Sequence, residues 1–311
     1  MMEKVLAIVG PTAIGKTAVA IKIAKELDGE IISCDSMQVY RGMDIGTAKP
    51  SLRQRSEIRH HLVDVVDVNE EFNVSTYQKM ARDAISEISG KSKLPILVGG
   101  SGLYMRAVLD DLQFAEGELG SDIRKSYETD NDEEKLELWK SLMKRDPESA
   151  NRIPYQNQRR VTRALEVIES SGELYSKRLM NWENRRSIYN TFLVGLRMKR
   201  ERLYERIEER VDEMIHMGLL DEVRKISEEN DVISVTAGQA LGYKELIGFD
   251  SGDLGDVINE IKKRTRHLAK RQMTWFRGDD RINWIEIDEE EEEKIASDII
   301  DLVSRRGFIV R

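Results

Sequence analysis

Lys4 to Val9 is a short, nearly all-apolar run closed by Gly10-Pro11, the pattern of a strand buried on both faces. Glu30 to Cys34 and Leu94 to Val98 repeat it; the first ends in Asp35-Ser36 and the second in Gly99-Gly100. Between these runs the period changes. A helix is expected from about Gly15 to Leu27. A second is expected over Val74 to Ile88, where Val74, Tyr77, Met80, Ala81, Ala84, Ile85 and Ile88 recur at helical spacing. Strands alternating with helices predict right-handed crossovers and a parallel sheet covered on both faces. From Gln113 to Tyr189 the strand pattern stops. This segment is highly charged and helical in pattern, over Ser121 to Arg145 and Gln158 to Ser170. It reads as an all-α insertion (113–189) in an α/β core formed by 1–112 and 190–311. Thr191 to Leu196 returns to the sheet. Helices are then expected at Lys199 to Met217, from there to Glu229, at Ala237 to Ile247 and at Asp253 to Phe276. Ile282 to Ile287 reads as a last strand before a closing helix.

Composition narrows the class. The chain has 311 residues, 40% hydrophobic and 34% charged, enough apolar material for about two domains. Val5 to Val9 is too short to span a bilayer and leads into a glycine loop instead of a cleavage site. Cys34 is the only cysteine, which excludes an internal disulfide or a multi-cysteine zinc site. His60 and His61 are adjacent and poorly spaced for one metal, so no zinc is expected. These features suggest a cytoplasmic protein without a membrane segment. The net charge of −8 argues against a protein that is basic throughout. The charge is segregated, however: Lys262 to Arg277 holds seven Lys/Arg and no Asp/Glu, and an acidic stretch from Asp279 to Glu293 follows. The acidic run suits a solvated helix start. The basic stretch, with Trp275 and Phe276 inside it, suits contact with a polyanion, although Trp275 reads more simply as a core anchor.

The candidate chemistry starts at the loop after the first strand. Gly10, Pro11, Thr12, Ala13, Ile14, Gly15, Lys16 and Thr17 fit G-x-x-x-x-G-K-[ST], between a strand and a helix as the motif requires. Glycines let backbone N–H groups turn inward on anionic oxygens, and a helix N-terminus adds partial positive charge. Lys16 supplies an ammonium and Thr17 a hydroxyl for Mg²⁺. This predicts a P-loop NTPase-like fold and a phosphate or diphosphate ligand, without naming the reaction. Asp35 falls at the carboxyl end of a strand, where open α/β sheets bind ligands. It can be a general base, a metal ligand or a cap on the next turn. Arg202, Arg206 and Arg210 share a helix face with Glu205 and Glu209 interleaved. That spacing favours an exposed ion-paired stripe for the first two and leaves Arg210 open. Arg159, Arg160 and Arg163 line a helix, where they can contact phosphate or form surface salt bridges.

Taken together, these motifs resemble the bacterial tRNA dimethylallyltransferases. The matching pieces are GPTAIGKT (Gly10–Thr17), DSMQVYRGMDIGTAKP (Asp35–Pro50), HHLVD (His60–Asp64), VGGSGLY (Val98–Tyr104), RRVTRALEV (Arg159–Val167), RIEERVDEM (Arg206–Met214), ALGYKE (Ala240–Glu245) and AKRQMTWFR (Ala269–Arg277). They run in family order over nearly the whole chain. The resemblance implies transfer of a dimethylallyl group from dimethylallyl diphosphate to the exocyclic 6-amino group of the adenosine 3′ of the anticodon, in tRNAs reading U-initial codons. Diphosphate is released and ATP is not consumed. It implies Asp35 as the base and the P-loop, Lys16, Thr17 with Mg²⁺ and Arg210 as the diphosphate clamp. It implies Asp35, Ser36, Met37, Gln38, Ser101, Arg124, Arg159, Arg160, Val161, Thr162, Arg163, Arg271 and Gln272 as tRNA contacts, with the protein acting as a monomer. Two departures stand out. Ser101 replaces the family's usual threonine, and Gly120 to Arg124 lacks the usual Asp-Pro. Two other functions are compatible with a P-loop: a small-molecule or nucleotide kinase, which gives no reason for the basic C-terminal helix, and a non-catalytic RNA-binding regulator.

Overall fold

Every side chain of β1 (Lys4–Val9) after Lys4 is buried, because neighbours pair on both edges and helices cover both faces. β1 lies parallel to β4 (Leu94–Gly99) on one side, with Leu6 opposite Ile96. On the other side it lies parallel to β5 (Asn190–Arg197), with Leu6 opposite Phe192. β2 (Gly29–Cys34) pairs with β4 and with the two-residue β3 (His60–His61). β6 (Ile282–Glu286) pairs with β5. Among the described residues these form one parallel six-stranded sheet, ordered β3–β2–β4–β1–β5–β6. The computed structural model describes residues 2–112, 114, 127, 129, 131–178, 185–249, 251–288 and 290–309.

Alternation along β1 divides the core, since successive side chains point to opposite faces. Val5, Ala7 and Val9 join Ile32, Cys34 and Leu97 under α3 (Val74–Gly90) and α4 (Gly102–Leu109). Leu6 and Ile8 join Ile31, Ile96 and Val194 under α1 (Lys16–Glu26) and the closing α12 (Glu292–Arg305). Caps set the element boundaries. Asn73 accepts a 2.8 Å bond from the Thr76 N–H at the start of α3. Ser51 and Gln54 form a capping box at the start of the short α2 (Leu52–Glu57).

The chain separates into two compact units, residues 1–109 with 188–311 and residues 110–187, against the 113–189 insertion read from the sequence. The second unit contains α5 (Asp132–Arg145), α6 (Pro147–Arg152) and α7 (Gln158–Ser171). They pack on Leu142, Ile153, Val161, Ala164 and Leu165. Buried Asp146 joins α5 to α6: it accepts from the Ser149 N–H at 3.1 Å, the Ser149 hydroxyl at 2.7 Å and the Ser176 N–H at 2.8 Å. The expected helix from Ser121 to Arg145 is described only from Asp132; 121–126 lie outside the described residues.

In the first unit, α8 (Arg200–His216) and α9 (Leu219–Glu229) lead to a stretch that departs from expectation. Ala237 to Ile247 is not one helix. A 3₁₀ turn at Ala237–Gln239 and a short α10 (Tyr243–Leu246) are split at Gly242, whose φ of +88° is left-handed and breaks the helical ladder. α11 (Leu254–Arg277) runs 24 residues to the last strand. Trp275 near its end is 44% exposed, not the expected core anchor. Its ring packs against Gly102, where a Cβ would come within 2.0 Å of it.

Candidate active site

The P-loop joins β1 to α1, and three residues in it, Gly10, Ala13 and Gly15, have positive φ values of +154°, +63° and +95°. Long-range contacts hold it from outside. The Thr12 N–H donates to Gln272 Oε1 on α11 at 2.9 Å, and Arg210 Nη1 on α8 donates to the Thr12 hydroxyl at 3.3 Å. Lys16 Nζ donates back to the Pro11 carbonyl at 2.6 Å. Two cations thus converge on one loop. Burial and the nearby Arg210 guanidinium push the Lys16 pKa down to about 7, while Asp35 acts in the opposite sense. Burial also lowers the pKa of Arg210, again opposed by Asp35. Asp35 therefore acts on both shielded cations, and Glu213 acts on Arg210 as well.

Asp35 follows β2 directly, half-buried at the carboxyl edge of the sheet. Its Oδ1 accepts the Met37 N–H at 2.8 Å, a local turn of the kind aspartate favours. Among the described residues Oδ2 has no partner, so the cap does not consume the carboxylate. Two cavities meet here. One, of about 280 Å³, runs along the P-loop past Lys16 and Thr17. The other, of about 390 Å³, opens between α8, α11 and the Gln239–Glu245 segment. Thr12, Asp35, Thr47, Arg210 and Gln272 line both.

The remaining sequence-marked residues divide. Ser36, Met37, Ser101 and Arg271 line the larger cavity. Gln38 is committed to its own loop: its Oε1 accepts from Ser33 at 2.8 Å, and its Nε2 donates to the carbonyls of Thr47 and Ala48 at 3.2 and 3.3 Å. Gln272 uses its carbonyl on Thr12, and its amide leaves room for no side chain at Gly100. In the insertion, Arg159 and Arg160 are exposed, and Arg163 pairs with buried Glu166 at 3.0 Å. Val161 and Thr162, also expected as tRNA contacts, have buried side chains. Arg124 lies outside the described residues. Arg202 pairs with Glu205 as an exposed stripe should, but Arg206 does not follow it: its guanidinium reaches the P-loop near Gly15.

Sequence reasoning assigned no role to Thr47 or to the clamp behind it. Glu222 on α9 accepts from the N–H groups of Asp44, Ile45 and Gly46 at 2.9–3.3 Å and from the Tyr243 hydroxyl. Lys49, its side chain only 2% exposed, ties Asp44, Asp64 and the Tyr40 carbonyl together. The signal was present in the DIGTAKP segment, but its partners lie far along the chain.

The IPP transferase family model matches residues 38–279. The chain belongs to the tRNA dimethylallyltransferase (IPP transferase) family. It is 44% identical over 313 residues to the tRNA dimethylallyltransferase of Syntrophomonas wolfei, covering 99% of this chain and all of that one. It is 43% identical to that of Bacillus subtilis, covering 92% and 91% of the two chains. Among solved structures, the full-length tRNA isopentenylpyrophosphate transferase of Bacillus halodurans superposes with a TM-score of 0.73 at 38% identity, over 98% of this chain and 96% of that one. A eukaryotic dimethylallyltransferase solved acting on tRNA gives 0.80 at 28% identity, over 98% and 79%. For a tRNA dimethylallyltransferase, a phosphate loop opening into a second cavity across one carboxylate is the arrangement the reaction calls for.

Proposed function

We propose that this enzyme moves the dimethylallyl group of dimethylallyl diphosphate onto the exocyclic 6-amino group of the adenosine 3′ of the anticodon. The tRNAs are those reading U-initial codons. The observation that carries this reading is Asp35, placed where a phosphate cavity and a second, partly apolar cavity meet.

The diphosphate lies along the P-loop, against the N-terminus of α1, Lys16 and Arg210. The flipped adenine enters the larger cavity beside Ser36, Met37 and Ser101. Flipping costs a few kcal/mol of lost stacking. The N6 lone pair attacks the allylic C1. The C1–O bond breaks, and its electron pair leaves with the diphosphate. N6 becomes more acidic as its lone pair is drawn into the new bond, and Asp35 Oδ2 takes its proton. Lys16 and Arg210 meet the charge that grows on the leaving group, in a shielded site where such contacts are strong. Thr17 lines the P-loop cavity, and its hydroxyl would hold Mg²⁺, a hard cation that takes oxygen ligands, beside the diphosphate. When bound it supplies further charge neutralisation to the diphosphate. The exposed Arg159 and Arg160 of the insertion bind the anticodon arm. The enzyme works as a cytoplasmic monomer.

The test is label transfer without ATP, from labelled dimethylallyl diphosphate and Mg²⁺ to unmodified tRNA. Label is expected in the wild-type reaction and lost when the target adenosine is replaced. Asp35→Ala is expected to bind tRNA normally and to slow single-turnover transfer by 10²-fold or more. ATP-dependent phosphorylation with no label transfer would favour a kinase, and an unchanged Asp35→Ala rate would remove Asp35 as the base.

A further inference from the structure

Arg206 breaks the pattern of its helix. Along α8, Arg202 pairs with Glu205 at 2.9 Å, and Glu208 pairs with Arg266 at 2.6 Å from the neighbouring α11. Arg206 is half-buried and has no ion pair or hydrogen bond among the described residues. Its Nη2 lies 3.8 Å from the point a Cβ on Gly15 would occupy, close to the residue that opens α1. One turn further along, Arg210 meets Thr12 near the other end of the same loop. A guanidinium beside a helix N-terminus meets the positive end of the helix dipole, which favours an anion between them. Asp35 acts on both Lys16 and Arg210, and Glu213 acts on Arg210 as well, which leaves Arg206 as the cation at this loop with no carboxylate paired to it among the described residues.

We infer that Arg206 is a second arginine of the diphosphate clamp, holding the distal phosphate while Arg210 holds the phosphate next to the reacting carbon. The division follows from geometry. Arg210 lines both cavities beside Asp35, where the bond must break. Arg206 lines neither cavity and meets the loop at Gly15, three residues after Thr12. Spacing of i, i+4 puts the two guanidinium groups on one helix face, and a planar fork suits paired phosphate oxygens. Because Arg206 is remote from C1, it contributes mainly to ground-state binding and the split falls on KM more than on kcat. The inference rests on the transfer reaction proposed above, but inorganic diphosphate tests it separately.

The experiment measures the Kd of inorganic diphosphate with Mg²⁺, the KM and kcat for dimethylallyl diphosphate, and the Kd of tRNA. Arg206→Ala is expected to weaken diphosphate binding and raise KM by about tenfold or more, with a smaller change in kcat and none in tRNA affinity. Arg206→Lys recovers part of the loss, since charge survives without the fork. Arg202→Ala, one turn away and ion-paired, leaves both constants unchanged. Should Arg206→Ala melt early, the Arg206→Gln and Arg206→Lys variants carry the comparison at matched melting temperature. Wild-type diphosphate affinity in these variants, or equal losses in the Arg202 and Arg206 variants, overturns the inference. Wild-type enzyme that binds diphosphate through Arg206 but transfers no label would leave the clamp standing and remove the transfer reaction.

Discussion

Lys16 is an ammonium whose charge depends on its ligand. With the pKa pushed down to about 7 by burial and Arg210, much of it is neutral in the free enzyme above neutral pH. A bound diphosphate reverses the balance by placing negative charge beside it. Binding between pH 7 and 9 is therefore expected to draw in up to one proton. Affinity for dimethylallyl diphosphate should fall as pH rises through this range. Calorimetry at pH 8 in buffers of different ionisation enthalpy reads the uptake, and a buffer-independent heat would refute it. The same shift sets the sign for stability. The unfolded chain, with lysine near 10.5, binds more protons than the folded one between about pH 7 and 10.5. The penalty of this buried cation is thus full below pH 7 and is relieved as pH rises through that window. Cys34 illustrates the opposite case: burial pushes its thiol up to about 12, so it stays protonated and acts as a small packing residue.

At the scale of elements, the segment from Asp44 to Pro50 has little regular structure and yet walls both cavities through Thr47. Its shape comes from Glu222 on α9, with three backbone N–H groups and the Tyr243 hydroxyl as donors. Charge-assisted bonds of this kind are worth more than neutral ones, though partial solvent access reduces the gain. Glu222→Ala is expected to cost about 2 kcal/mol in urea denaturation and to lower transfer, while Tyr243→Phe costs about 1 kcal/mol. If both variants unfold at the wild-type urea midpoint, the clamp does not shape this wall. The break at Gly242 belongs here as well. It turns the chain so that Glu245 accepts the Gly242 N–H at 2.8 Å and meets Arg264 of α11 at 2.8 Å. An unbroken helix from Ala237 to Ile247 could not combine those two contacts.

For the whole molecule, net charge and function seem opposed only if charge is averaged. A chain at −8 repels tRNA at long range, so the proposed binding needs local cations, for which the exposed Arg159 and Arg160 are candidates. Arg160→Ala is expected to weaken tRNA binding and to reduce the slope of log K against log salt by about 0.7–0.9, the loss of one phosphate contact. A titration over salt with an unchanged slope would take Arg160 off the phosphate. At this scale the α/β class, the helical insertion and most long elements were legible, because period and length set them. The burial of Val161 and Thr162 was not legible. A motif match marks positions without saying which side of α7 faces the core; here Val161 joins the apolar cluster of the second unit and Thr162 is buried beside it in sequence.

What the sequence determined by itself is local. The apolar run before Gly10 makes a buried strand, the G-x-x-x-x-G-K-T pattern makes the turn from strand to helix, and Asp35 follows a strand. Each depends on residues that are neighbours in the chain, so the signal survives in one dimension. The tertiary structure alone decided the rest. Thr12 finds Gln272 across 260 residues and Arg210 across 198, and β4 inserts between β1 and β2. The lowered Lys16 pKa, the open Oδ2 of Asp35 and the reach of Arg206 to Gly15 all depend on distances and burial, which arise only when the crossovers close and remote side chains share one shielded space.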